Sequence, residues 1–141
     1  MDITKAKEYL KSGYSVAILG EKEFLSKERG IAYIAGLAEL KYDLKGYVAA
    51  DKIVGKAAAY LYVLLRVKEI YAEVISVEAE RILLSSGIVV SYGIKTNKII
   101  NRKGDGLCPM EVAVQDARAP TEALCAILKT LVKLRENKSN L

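Results

Sequence analysis

Strand-like and helix-like segments alternate through the middle of this chain, and that alternation predicts an α/β domain. Residues 47–50, 70–76 and 88–92 are short apolar runs of strand length, while 53–65 and 77–86 carry apolar side chains at helical spacing. A strand–helix–strand–helix–strand order implies parallel strands joined by right-handed crossovers, with helices covering the sheet. Composition agrees: 52% hydrophobic and 28% charged residues fit a globular chain and argue against disorder.

The elements follow in order. Residues 2–12 form an amphipathic helix with Ile3, Ala6, Tyr9 and Leu10 on one face, ended by Gly13. Residues 14–19 and 23–26 read as a hairpin around Gly20-Glu-Lys. Residues 31–40 read as a helix interrupted by Gly36. The central stretch 46–65 then gives a buried strand, a polar turn at Asp51, and a helix. Its apolar stripe is Ile53, Val54, Ala57, Ala58, Leu61, Leu64 and Leu65, and Asp51 is placed to cap it. Residues 70–76 make a strand, 77–86 a helix with Ala79, Ile82 and Leu83 inward, and 88–92 a third core strand. A further strand is expected around 98–100, then the polar loop 101–106. Pro109 opens a short helix to about Arg118, since proline suits a first helical position. Thr121 caps a last helix to about Glu136, with Leu124, Ile127, Leu128, Leu131 and Leu134 buried and a frayed tail beyond.

Several function classes are excluded by what is missing. The chain has no histidine, so histidine-dependent nucleophile pairs and histidine-ligated zinc or iron cannot be built within it. Its two cysteines, Cys108 and Cys125, are not expected to pair in a reducing compartment. No apolar run approaches the roughly 18–20 residues that span a bilayer, and the N-terminal residues lack a signal-peptide core, so the expected location is the cytoplasm without membrane association. At 141 residues a single domain, 1–141, is expected. The net charge of +5 permits an anionic partner without requiring one.

Candidate chemistry gathers at the strand-to-helix junction, where α/β folds place ligands. Lys52 and Lys56, read as one turn apart at a helix start, oppose the dipole and repel each other unless an anion sits there. The plainer alternative is two solvated lysines. Gly55-Lys56 is not a phosphate loop, because Ala50 and Ala57 stand where that motif needs glycine and a hydroxyl residue. Cys108 precedes Pro109 at a helix start, which favours a thiolate, and Glu111 falls at the position of a capping glutamate. The alternative is an inert cysteine in a capping arrangement. Cys125 lies among apolar neighbours and reads as core. Asn101-Arg102 offers a guanidinium fork for a carboxylate or phosphate, or is an ordinary basic loop. Lys95, Lys98, Arg102 and Lys103 have only Tyr92 nearby for stacking, a weak nucleic-acid signal.

The strings Asp51-Lys-Ile-Val-Gly-Lys-Ala-Ala-Ala59, Tyr71-Ala-Glu-Val-Ile-Ser76, Asn101-Arg102 and Cys108-Pro-Met-Glu111 resemble an uncharacterised prokaryotic family of unknown function. That family is assigned to the cytidine deaminase-like fold. The resemblance covers nearly the whole chain. It implies a three-layer α-β-α sandwich whose five-stranded mixed sheet begins with an antiparallel hairpin and continues with parallel strands. Zinc deaminases carry His-x-Glu and Pro-Cys-x-x-Cys. Here the helix after the third strand offers Val54-Gly-Lys56, the next begins Val77-Glu-Ala-Glu80, and Cys108-Pro-Met-Glu111 has glutamate for the second cysteine. The zinc ligands are therefore absent, and no metal or cofactor is expected. The expected function is a deaminase-like domain without the catalytic zinc site that binds a small anionic or nucleotide-like ligand. Its expected pocket is Asp51, Lys52, Lys56, Ser76, Asn101, Arg102, Cys108 and Glu111. The alternatives are a catalytically silent RNA- or protein-binding module and an enzyme using Lys56 or Cys108 as nucleophile. A homodimer is compatible with any of them.

Overall fold

A computed structural model describes residues 2–139. Its elements, in order, are α1 (Ile3–Lys11), β1 (Val16–Leu19), β2 (Glu23–Ser26), α2 (Ala32–Glu39), β3 (Val48–Val54) and α3 (Lys56–Leu65). Then come β4 (Glu69–Ser76), α4 (Val77–Ser85), β5 (Val89–Thr96), α5 (Pro109–Ala113) and α6 (Pro120–Ser139). The strands form one mixed sheet in the order β2-β1-β3-β4-β5. β1 pairs antiparallel with both β2 and β3, whereas β3-β4 and β4-β5 are parallel. Helices cover both faces, as the α/β reading requires.

The two faces are built differently. On one, α1 lays Ala6 and Leu10 against Ala17, Leu19, Val48 and Ala50. On the other, α3 is the hub, with α2, α4 and α6 packed around it. Nearly every α3 side chain is buried, from Lys56 to Tyr62 and again at Leu65. A helix apolar on all sides is stable only inside such a cage. Caps close the helices: Asp2 accepts from the Thr4 amide and the Ser76 hydroxyl from the Ala79 amide. Among the described residues no helix is long and apolar enough to cross a membrane.

Several expectations are corrected. First, β3 does not turn at Asp51. Asp51 pairs with Val16 on one side and Ala72 on the other, so the backbone stays extended to Val54 and Gly55 is the N-cap of α3. Ile53 and Val54 thus belong to the strand, and Lys52 and Lys56 never share a helical face. Second, β5 runs on to Thr96 and is an exposed edge rather than a core strand. Third, Lys98–Ile100 forms no strand: Ile100 makes one isolated bridge to Leu107. Fourth, α5 stops at Ala113, because the backbone turns at Val114 to bring Gln115 to Ala117 back toward α3. Fifth, Leu134 and Cys125 are exposed, since α6 buries mainly its first half through Ala123 and Ile127. Cys108 is half-buried, so Cys125 is the more accessible thiol. The tail was expected to fray from Asn137, yet α6 continues to Ser139, and residues 140–141 lie outside the described residues.

Candidate anion seat at the start of helix α3

The turn from β3 into α3 leaves the first amides of a buried helix without partners inside the helix. A carboxylate from far along the chain answers them. Glu111 Oε1 accepts from the Lys56 amide at 2.8 Å, and Oε2 accepts from the Ala57 amide at 2.9 Å. Both oxygens are engaged, and the charge faces the positive end of the helix dipole. Gly55 permits this approach. Its φ of −101° is open to any residue, but a Cβ there would fall on the Glu111 carboxylate. Glycine is required for space, not for backbone freedom.

Lys56 closes the arrangement. It is only 9% exposed, and its ammonium donates to the Gln115 carbonyl at 3.1 Å. Glu78 Oε1, in the first turn of α4, lies 3.5 Å from the same nitrogen. The α3 and α4 starts therefore meet at Lys56, with the Ser76 cap just before Glu78 in the sequence. Tyr60 adds its ring 6.0 Å from the ammonium and donates its hydroxyl to the Ala117 carbonyl at 3.4 Å. The segment from Cys108 to Ala117 is thus fastened to α3 by Glu111, Gln115 and Ala117.

Asp51 lies elsewhere, buried beneath α3. The Tyr62 hydroxyl donates to its Oδ2 at 2.7 Å and the Ile53 amide to its Oδ1 at 3.3 Å. Burial raises the Asp51 carboxyl to about 7; these hydrogen bonds and the Lys52 amide act against that rise, and nearby Glu73 adds to it. Burial, then the adjacent Asp51, pushes Tyr62 well above the ordinary tyrosine value.

The eight residues picked from sequence are only partly gathered. Lys56 and Glu111 meet directly, Ser76 caps the neighbouring helix, and Cys108 sits at the N-cap of α5 three positions before Glu111. Asp51 faces Tyr62, and the Lys52 amide donates to the Ser15 carbonyl on β3's other flank. Asn101 is tied to Asp105 within its own loop, where Arg102 is exposed. Glu78, Gln115 and Tyr62 were not singled out. Glu78 had a signal, an acid in the first turn of a helix; Gln115 acts through its backbone and Tyr62 looks like any core aromatic. Among the described residues no three Cys, Asp or Glu side chains converge as a metal site.

The model of the TM1506 family, a domain of unknown function (DUF1893), matches residues 5–131. No curated protein matches the chain. Among solved structures, the chain is similar to a DUF1893 family protein (TM1506) from Thermotoga maritima. The two are 28% identical, with a TM-score of 0.81 over 89% of this chain and 86% of that one.

Proposed function

The chain belongs to the TM1506 family of domains of unknown function (DUF1893), and we propose that it is a deaminase-like domain, without the catalytic zinc site, that binds a small anionic or nucleotide-like ligand. The antiparallel hairpin followed by parallel strands is the sheet that reading calls for. One observation carries the ligand class: the start of α3 already holds a carboxylate, with both oxygens on successive amides. Two amides and the helix dipole are what a phosphate or carboxylate needs, and the Lys56 ammonium, held by the Gln115 carbonyl and Glu78, is the cation on the same helix turn. Glu111 occupies the seat in this closed form. It rides on a five-residue helix beyond the polar loop 101–106, so a ligand enters by displacing α5.

The test is a thermal-shift and calorimetric titration with inorganic phosphate, sulfate and nucleoside monophosphates. Glu111→Ala empties the seat and should bind these anions more tightly than the wild type; adding Lys56→Gln should remove most of that gain. Absence of stabilisation in wild type and Glu111→Ala alike sinks the reading. Salt-sensitive RNA retention without any small-anion shift supports the RNA-binding alternative instead.

A further inference from the structure

We infer that the open edge of β5 binds a second copy of this chain, the two β5 strands pairing antiparallel across a two-fold axis. β5 has eight residues and is the last strand of the sheet, so one of its backbone edges has no strand partner among the described residues. It is also poorly covered on its faces. Val89 is 60% exposed and Ile94 65%, Ser91, Tyr92, Gly93 and Lys95 are exposed, and only Val90 and Thr96 are half-buried. An exposed apolar edge of this length is a template for another strand, and proteins that stay monomeric usually guard such edges.

The opposite edge shows what guarding looks like. β2 is only four residues long, and its Glu23 is held by Lys5 at 2.7 Å and by the Tyr9 hydroxyl at 2.7 Å. Lys22 and Lys27 flank it. β5 is twice the length of β2, and its one charged residue, Lys95, is likewise held in an ion pair, by Glu80 at 3.1 Å. Two copies of a chain with net charge +5 can therefore meet here without opposing bare charges.

The apolar surface continues inward from the edge. Ile53, Val74 and Ile94 are register partners across β3, β4 and β5, and Ile53 is 54% exposed at the far end of that row. A strand of this length spans about 26 Å and contributes only part of a standard interface. The row supplies adjoining area. The choice of a second copy follows from symmetry: a strand paired antiparallel with itself is self-complementary and closes as a dimer, leaving no open edge.

Sedimentation equilibrium from low to high micromolar protein, with amide hydrogen exchange at both ends of that range, tests the inference. The wild type should dimerise, and β5 amides should gain protection as concentration rises. Ile94→Lys and Val89→Lys should each weaken the dimer at least ~10-fold, because a charge on a sheet edge opposes pairing. Leu40→Lys, at the exposed end of α2, should leave it unchanged, and circular dichroism confirms that each variant is folded. A wild type that stays monomeric throughout overturns the inference. So does a dimer whose β5 amides exchange as in the monomer, or one indifferent to both β5 lysines.

Discussion

Two carboxyl groups meet α3, and the chain treats them in opposite ways. Glu111 reaches the helix start, where both its oxygens accept from successive amides. Asp51 lies beneath the same helix, fully desolvated, with one phenol and a nearby amide as donors, and its carboxyl rises to about 7. Burial drives the Asp51 rise and its donors only partly offset it, whereas Glu111 is half-buried at the end of a helix. One carboxylate fastens the C-terminal third to the sheet domain; the other is a core group that exchanges its proton near neutrality.

The contrast is broken most severely at Gly55. Gly55→Val places side-chain atoms where the Glu111 carboxylate sits and should cost about 3 kcal/mol in denaturant unfolding, from lost charge-assisted hydrogen bonds plus overpacking. In a Glu111→Ala background the same change should cost far less. An equal cost in both backgrounds shows that Gly55 is not kept for the carboxylate.

Glu111→Ala alone should cost about 2 kcal/mol, since water partly replaces the lost acceptors. Glu111→Gln, which keeps one acceptor oxygen, should cost less than that. An unchanged unfolding midpoint for Glu111→Ala means the α3 amides are served as well by solvent.

Asp51 predicts a pH signature. Its folded pKa of about 7 stands above its ordinary 3.8, so the folded state holds this proton more tightly than the unfolded chain. Its contribution is fully present below about 3.8 and falls as pH rises toward 7, after which it is flat. Asp51→Asn keeps an acceptor for Tyr62 and cannot ionise. It should remove that falling component and be about 1–2 kcal/mol more stable than wild type above neutrality. Parallel pH–stability curves for the two proteins sink the assignment.

The smallest effect belongs to Lys56. Lys56→Gln removes the bond to the Gln115 carbonyl and the contact with Glu78, and should lower stability by roughly 0.5–1 kcal/mol. A gain in stability would restore the picture of a helix-start lysine working against the dipole.

These regions also mark how far the sequence could be read. The βαβαβ core was legible because apolar periodicity sets which face of each element is buried. The length of β3 was not, because Asp51 looks like a helix cap until its backbone pairs on both sides with Val16 and Ala72. β5 was mistaken for core because Val89, Val90 and Tyr92 are apolar whether they face a neighbour or an open edge. At the candidate site, Lys56 and Glu111 were each singled out but not connected. Glu111 was read as capping its own helix, and single-sequence patterning carries no information about a partner 55 positions away. Gln115 contributes a carbonyl, which every residue type possesses, so its identity held no signal.

That separation also bears on how the chain emerges from a ribosome. All five strands and α3 are complete by Thr96, yet the carboxylate that answers α3's first amides follows later. Until α5 is made, the nascent sheet domain carries α3 with an unanswered positive end and without α6 packed over it. Vectorial synthesis thus makes the closure of α3's first amides a late long-range step of this fold, and a stall before Glu111 would expose an open, aggregation-prone intermediate.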